Sequence, residues 1–234
     1  MNHRRSAFSL VELLIVVAII GVIAGFGVPA LSGVLRGSAL SQASSQLTDS
    51  LSLARQHAIT KNRIVEVRFY RFGDPEVPGE SASDPLKGQF RAFQYFEISD
   101  SGVIIPVGKY QRLPDTIVMN PGPKLSTLLD DRLGRTILAG TAAFKKDVNP
   151  ELPRGVKQQY DFVWFRFLPD GSTDLPPTGV KDSDSAPNGR FYITVHSLGD
   201  RARTSGDTVP PPDFYTWQIE PVSGTSKSYK PGIK

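Results

Sequence analysis

The stretch RRSAFSLVELLIVVAIIGVIAGFGVPALSGVL, residues 4–35, contains a long apolar run that is interrupted by a single charge. That charge is Glu12, the only charged residue between Phe8 and Leu35. A carboxylate inside a membrane helix costs about 2.5–3.5 kcal/mol on insertion scales. A plain anchor gains nothing from this cost, so we expect Glu12 to have a function and to meet a partner.

The N-terminus has three interpretations: a cleaved secretory signal, a plain membrane anchor, or an anchor in which Glu12 has a function. The length of the apolar run argues against the first. A cleaved secretory signal has an apolar region of about 7–15 residues. Here the 23 residues from Leu13 to Leu35 carry no charge, which matches a membrane span of about 20 residues. Arg4 and Arg5 precede the run, so we expect a cytoplasmic N-terminus and an extracytoplasmic body. A plain anchor explains these features but not Glu12.

The same residues resemble the class III signal of type IV pilins and type II secretion pseudopilins. In that family a short basic leader is followed by Phe-Thr-Leu-Ile/Val-Glu and an apolar helix, and here Phe8-Ser9-Leu10-Val11-Glu12 has that order. The resemblance implies that prepilin peptidase cleaves between Ala7 and Phe8 and that the new Phe8 amine is N-methylated. It also implies that Glu12 pairs with the Phe8 amine of a neighbouring subunit, where opposite charges attract in a low-dielectric setting. Ala7 departs from the family, which prefers glycine before the cut.

Proline and glycine lie where helices of this family carry them, at Gly21 and Pro29. Proline inside a helix removes one backbone hydrogen bond. We therefore predict a kink or local melting at Pro29.

The pattern of the chain changes twice after residue 35. Apolar residues recur at helical spacing at Leu40, Leu47, Leu51, Ala54 and Ala58, which predicts an amphipathic helix that continues the apolar one to about residue 61. Beyond Asn62 the period becomes two, which predicts half-buried strands. The predicted strands are residues 64–72, 90–99, 102–107, 116–120, 160–168, 190–198 and 214–220.

We therefore predict an α+β fold in which a long N-terminal helix packs on an antiparallel sheet, as in pilins. The domain boundaries are predicted as a leader at residues 1–7, a transmembrane and assembly helix at 8–35, an amphipathic helix at 36–62, and a β-rich extracytoplasmic domain at 63–234. The abundance of turn formers, 19 Pro and 21 Gly in 234 residues, agrees with a loop-rich β domain.

Four further stretches narrow the resemblance to GspH/FimT-type pseudopilins and to the Verru_Chthon cassette protein D group. The first is Ala54-Arg55 and the strand that follows it. The second is Gln111-Arg112-Leu113-Pro114. The third is FRFLPDGSTDLP at residues 165–176, and the fourth is QIEPVSG at 218–224 near the end of the chain.

Composition excludes some chemistry. The chain has no cysteine, so it has no disulfide, no thiolate zinc site and no cysteine nucleophile. A formal net charge of +4 does not by itself indicate a nucleic-acid partner. A Ser-His-Asp arrangement would have to use His196, and the chain contains no Gly-x-Ser-x-Gly nucleophile elbow.

Two weaker site hypotheses remain open. Asp170 and Asp174 supply hard oxygen ligands for calcium, although an aspartate-rich turn explains them as well. Arg201 and Arg203 form a candidate DNA contact, with a solvated loop as the alternative. The basic tail residues Lys227, Lys230 and Lys234 belong to the same hypothesis.

The sequence therefore favours a non-enzymatic pseudopilin of the bacterial inner membrane, without a cofactor, that assembles into a type II secretion or type IV pilus-like fibre. The expected partners are prepilin peptidase, other pilin-like subunits and the assembly platform. The alternative is a binding module, for DNA or another polymer, displayed on a pilin stem. A membrane-tethered enzyme is the least favoured reading.

Overall fold

The computed structural model describes residues 9–74, 80, 88–122, 124–129, 136–137, 160–176, 190–200 and 210–230, and within these ranges the side chains of 23–32, 136 and 137 are left out. The chain divides into two compact units, Met1–Ser38 and Ala39–Lys234.

A single helix, α1, runs from Leu10 to Lys61. Two of the last carbonyls of α1 are satisfied by a Schellman motif. Arg63 N–H donates to Ala58 O at 3.1 Å, Asn62 N–H donates to Ile59 O at 3.3 Å, and Asn62 has a φ of 53°. The predicted end of the helix is confirmed. Helix α1 continues through Pro29. The kink at Pro29 stays a prediction, because the side chains of residues 23–32 are not described.

The amphipathic stripe on the second half of α1 is also confirmed. All five predicted stripe residues are buried, and Ala43 joins them. They form one hydrophobic cluster with alternate residues of the sheet, which include Val65, Val67, Phe69, Phe165 and Trp217. Trp217, the largest of these, donates its indole N–H to Thr48 Oγ1 on α1 at 2.9 Å.

The sheet has ten strands in the described part of the chain and is antiparallel throughout. The strands are β1 (Ile64–Phe72), β2 (Gln89–Ile98), β3 (Ile104–Pro106), β4 (Gln111–Arg112), β5 (Ile117–Met119), β6 (Thr136–Ile137), β7 (Tyr160–Phe167), β8 (Phe191–Ser197), β9 (Phe214–Ile219) and β10 (Ser226–Tyr229). Their order is β10-β9-β8-β5-β2-β1-β7-β6, and β3 and β4 also pair with β2. All seven predicted strands are found, so the α+β prediction is confirmed.

The expectation that β1 is half-buried is wrong, because the face of β1 opposite to α1 is buried as well. Glu66 and Arg68 on this face are each only 3% exposed. Tyr70 and Phe72 continue the face in a second aromatic cluster, with Ala92, Tyr160 and Phe162. An alternating pattern predicts which side chains share a face of the strand. It does not show whether other residues cover the polar face.

The buried charges on this second face are paired. Glu66 Oε1 accepts from Arg68 Nε at 2.7 Å, and Glu66 Oε2 accepts from Arg166 Nε at 2.9 Å. The Arg68 guanidinium also lies 4.4 Å from the ring centre of Phe96 and 4.6 Å from that of Phe162. Cation–π contacts of this kind suit a desolvated arginine.

A second buried ion pair lies on the α1 side of the sheet. Arg71 and Asp161 are directly opposite each other on β1 and β7. Arg71 Nε donates to both carboxylate oxygens of Asp161, at 2.9 and 3.0 Å, and Arg71 Nη2 donates to Oδ2 at 2.5 Å. The two arginines of β1, Arg68 and Arg71, therefore lie on opposite faces, as their odd spacing predicts.

Replacing Glu66 by glutamine is expected to destabilise the domain strongly. The change keeps the shape but removes the charge that neutralises two arginines, and breaking a buried pair costs on the order of 3 kcal/mol. The matched control is Asp100→Asn, which removes an ion pair with Arg63 whose aspartate side chain is 87% exposed and which should cost about 0–1 kcal/mol. Thermal unfolding of the two variants, followed in detergent, compares the losses. Equal small shifts would contradict the account of the buried face.

Candidate functional site

The first turn of α1 holds Glu12 in a capping box. Ser9 is the N-cap residue: its carbonyl accepts from Glu12 N–H at 3.0 Å, and its hydroxyl accepts from Val11 N–H at 3.2 Å. The Glu12 carboxylate reaches back and accepts from Ser9 N–H at 3.5 Å. Ser/Thr-x-x-Glu is the sequence signature of this arrangement, and the carboxylate also lies at the positive end of the helix dipole.

The capping box changes the interpretation of Glu12. The residue is not without a partner in the single chain, because it stabilises the start of its own helix. This contact is long and exposed, so it does not prevent the carboxylate from meeting a stronger donor. Sequence reasoning missed the role of Ser9, although the spacing Ser9-x-x-Glu12 carried the signal.

Apolar side chains surround Glu12 along the described start of α1. Exposed large hydrophobic residues continue from the N-cap to Val22, and they are Leu10, Val11, Leu13, Leu14, Ile15, Val16, Val17, Ile19, Ile20 and Val22. Water is an unfavourable environment for so much apolar surface, and large exposed apolar patches mark membrane or protein contacts. Within the described residues, no helix is long and apolar enough to cross a membrane. Ala7 and Phe8, the predicted cleavage and methylation residues, lie outside the described residues.

A junction around Arg55 brings together three of the sequence stretches that carried the family resemblance. The Arg55 Nε–H is shared between Gly171 O at 3.1 Å and Ser223 O at 2.9 Å. One side chain of α1 thereby holds the loop after β7 and the loop between β9 and β10. Thr173 N–H completes the junction by donating to Pro221 O at 2.8 Å.

Two glycines allow the loops to meet at this junction. Gly171 and Gly224 both have positive φ values, 83° and 63°. A methyl group at Gly224 would lie 2.1 Å from Gly171 O. No side chain fits at position 224. Glycine is therefore required there both by the positive φ and by the close approach of the Gly171 carbonyl.

Gly224→Ala is therefore expected to destabilise the domain far more than Gly102→Ala. Gly102 has a similar φ of 77° but nothing within 4 Å of an added methyl group. Both variants lose roughly 1 kcal/mol to the left-handed backbone conformation, and only Gly224→Ala also displaces the Gly171 loop from Arg55. Thermal midpoints give the difference, and a Gly102→Ala loss as large as that of Gly224→Ala would contradict the role of the junction.

The candidate calcium residues act within the loop itself. Asp170 Oδ1 accepts from the hydroxyl of Ser172 at 2.6 Å and from the backbone N–H of Ser172 at 2.9 Å, and these bonds lower the pKa of the Asp170 carboxyl. Asp174 Oδ1 accepts from Arg166 N–H at 2.9 Å. Among the described residues, no cluster of three or more His, Cys, Asp or Glu side chains could hold a metal ion. Asp170 thus accepts within its own turn and Asp174 accepts from β7, and calcium binding stays a prediction.

His196 is held in the core rather than at a surface site. It is 1% exposed, its Nδ1 lies 2.8 Å from Ser197 O, and its Nε2 lies 3.2 Å from the side-chain amide of Asn120. These contacts occupy both ring nitrogens in the neutral form. The residue therefore has a structural role in this region of the sheet.

The candidate DNA residues Arg201 and Arg203, and Lys234 of the tail, lie outside the described residues. Lys227 lies on β10 at the end of the sheet. Lys230 follows β10 and lies 3.8 Å from an Asp213 carboxylate oxygen and 5.2 Å from the ring centre of Tyr215. The nearby acid reduces the positive potential that a DNA contact would need.

Comparison with known proteins finds a family match at the N-terminus. Residues 2–28 match the prokaryotic N-terminal methylation motif. The match covers residues 2–7 of the predicted leader together with Phe8 and Glu12, so the prediction of a prepilin-type N-terminal signal is confirmed. No curated protein matches the chain.

Two kinds of solved structure are similar to the chain. The minor pseudopilin EpsH from the type 2 secretion system of Vibrio cholerae is 10% identical with a TM-score of 0.38, and the match covers 83% of this chain and 98% of that one. The type IV minor pilin FimU of Pseudomonas aeruginosa PAO1 is 12% identical with a TM-score of 0.38, and the match covers 82% of this chain and 97% of that one.

Proposed function

We propose that this chain, which carries the prokaryotic N-terminal methylation motif at residues 2–28, is a non-enzymatic pilin-like subunit of a type II secretion or type IV pilus-like fibre. The observation that carries the proposal is the placement of Glu12 inside that motif, in the first turn of α1 and among exposed apolar side chains. Prepilin peptidase would cleave between Ala7 and Phe8, and the new Phe8 amine would be methylated.

Before assembly, residues 8–35 would anchor the subunit in the inner membrane. The N-terminus would face the cytoplasm and the domain from Ala39 onward would be extracytoplasmic, because Arg4 and Arg5 precede the apolar run. In the fibre, the apolar segments of neighbouring subunits would cover one another. This arrangement removes the exposed apolar surface from water or lipid and supplies close helix contacts.

Glu12 would change partners on assembly. In the single chain the carboxylate accepts the weak bond from Ser9 N–H. A methylated Phe8 amine of a neighbouring subunit is a cation, so both members of that pair are charged, whereas Ser9 N–H is a neutral donor that lies 3.5 Å from the carboxylate. The gain favours the contact between subunits over the contact within the chain, and it gives the costly carboxylate its function.

Three variants separate capping from charge pairing. A capping box accepts glutamine as well as glutamate, so Glu12→Gln keeps the cap and loses the charge. Ser9→Ala loses the hydroxyl that caps Val11 N–H and keeps the charge, and Glu12→Ala loses the charge together with the carboxylate half of the capping box. We expect fibre yield to fall about tenfold or more in both Glu12 variants, because losing one partner of a buried ion pair costs about 3–5 kcal/mol.

The control for this series is membrane insertion, measured by fractionation of the same cells. We expect all three variants to insert, and Ser9→Ala to retain most of its fibre yield in sheared fractions. Normal fibres from Glu12→Gln would show that Glu12 acts only as a helix cap, and the proposed pairing with Phe8 would be wrong.

A further inference from the structure

The side of β8, β9 and β10 that lies opposite to α1 is partly open to solvent. The α1 side of these strands is buried and carries Phe191, Ile193, Trp217 and Ile219. Because side chains alternate between the two faces of a strand, the register places six other residues on the opposite side. We call these six the outer face, and they form two rows: Tyr192, Gln218 and Lys227 in the first, and Thr194, Thr216 and Tyr229 in the second.

Two tyrosines lie at opposite corners of the outer face. Tyr229 is 49% exposed and Tyr192 is half-buried. Two strand spacings and one row separate them, so their Cα atoms lie about 12 Å apart. A tyrosine ring has an apolar face and a polar edge, so it suits a ligand whose own rings are apolar on their faces and polar at their edges. Sugar rings have this character.

The polar side chains between the tyrosines offer one donor and one acceptor. Gln218 Oε1 accepts from Tyr229 OH at 3.4 Å, and the Gln218 NH2 group donates to no acceptor among the described residues. Thr194 donates its hydroxyl proton to Leu125 O, so the proton in its 2.8 Å contact with Thr216 belongs to Thr216. The Thr216 oxygen can therefore still accept. A hydroxyl group both donates and accepts, so a hydroxyl-rich ligand satisfies both positions.

Three exposed cations border the outer face. Lys227 is part of it, Arg190 lies just before β8, and Lys124 lies just before Leu125. None of the three takes part in an ion pair within the described part of the chain. Glu220 follows β9 and offsets one of these charges, which leaves a positive excess. Such an excess favours a ligand that carries negative charge.

We propose that the outer face binds an acidic polysaccharide, a chain of sugar rings that carry carboxylates. Tyr192 and Tyr229 contact the apolar faces of two sugars. The Gln218 NH2 group and the Thr216 oxygen bond to sugar hydroxyls between them. The three bordering cations pair with the carboxylates, which accept charge-assisted hydrogen bonds.

A single-stranded nucleic acid is the other polymer that stacks on exposed tyrosines. Its affinity comes largely from phosphate contacts, and the outer face supplies three cations with an acid beside them. The adjacent donor and acceptor of Gln218 and Thr216 match hydroxyls that recur along a chain. The polysaccharide therefore uses more of the groups that the outer face presents.

The test is affinity electrophoresis of the full-length chain in detergent, in gels that contain either polygalacturonate or the neutral polysaccharide dextran. Polygalacturonate should retard the chain, and less so at high salt, because exposed charges are screened. Dextran should not retard it. Tyr229→Ala should weaken the binding of polygalacturonate about threefold to tenfold. The matched control Tyr229→Phe keeps the ring and should retain most of the binding.

A second pair of variants tests the charge. Lys227→Ala should weaken binding roughly threefold, as the loss of one exposed ion pair does. Its control is Lys230→Ala, because Lys230 lies over Tyr215, which packs on the α1 side of the sheet. Lys230→Ala should bind polygalacturonate like the unaltered chain.

Four results would overturn the proposal: no retardation by polygalacturonate, equal retardation by dextran, equal losses in the two lysine variants, or tighter binding of oligothymidylate, which would assign the outer face to nucleic acid. The Glu12→Ala chain should bind polygalacturonate as tightly as the unaltered chain. The result is therefore independent of the proposed fibre assembly.

Discussion

The carboxylate of Glu12 is the constraint on which the proposed assembly depends, because Glu12 is the only charged residue between Phe8 and Leu35. In the single chain it stabilises the first turn of α1 through Ser9. That contact is weak and exposed, and it leaves the charge ready for a cationic partner. The same residue therefore contributes to helix formation before assembly and, in the proposed fibre, to recognition between subunits.

The sheet of the domain from Ala39 onward packs against the second half of α1. The apolar stripe of the helix packs on one face of the sheet, Trp217 bonds to Thr48, and Arg55 binds two loops at the end of the helix. The opposite face of β1 is buried too, and paired charges occupy it. Burying ion pairs is costly unless their geometry is satisfied, and here both carboxylate oxygens of Glu66 accept from arginines, Arg68 and Arg166.

The sequence was sufficient to predict the elements whose periodicity is strong. The stripe from Leu40 to Ala58 was predictable because its apolar residues recur at helical spacing. The end of the helix near Lys61 was predictable because the period changes to two beyond Asn62. Three strands were not predicted: β4 and β6 have only two residues each, and β10 is the polar segment Ser-Lys-Ser-Tyr. Periodicity gives no signal for segments of that length or polarity.

Contacts between residues far apart in the chain could not be predicted from the sequence at the candidate sites. Arg55 meets Gly171 and Ser223, which are 116 and 168 residues away in the chain, so no local pattern indicates the junction. The burial of Glu66 and Arg68 was missed for a similar reason, since their alternation with apolar residues is the same whether the polar face is covered or not. The role of Ser9, in contrast, was readable from its spacing to Glu12.

The most direct test of the central claim is N-terminal sequencing and mass measurement of the mature chain from cells that contain a prepilin peptidase. We expect a chain that begins at Phe8 and carries one added methyl group on its amine. A mature chain that still begins at Met1 would leave Glu12 without the cation that the account assigns to it, and would contradict the claim.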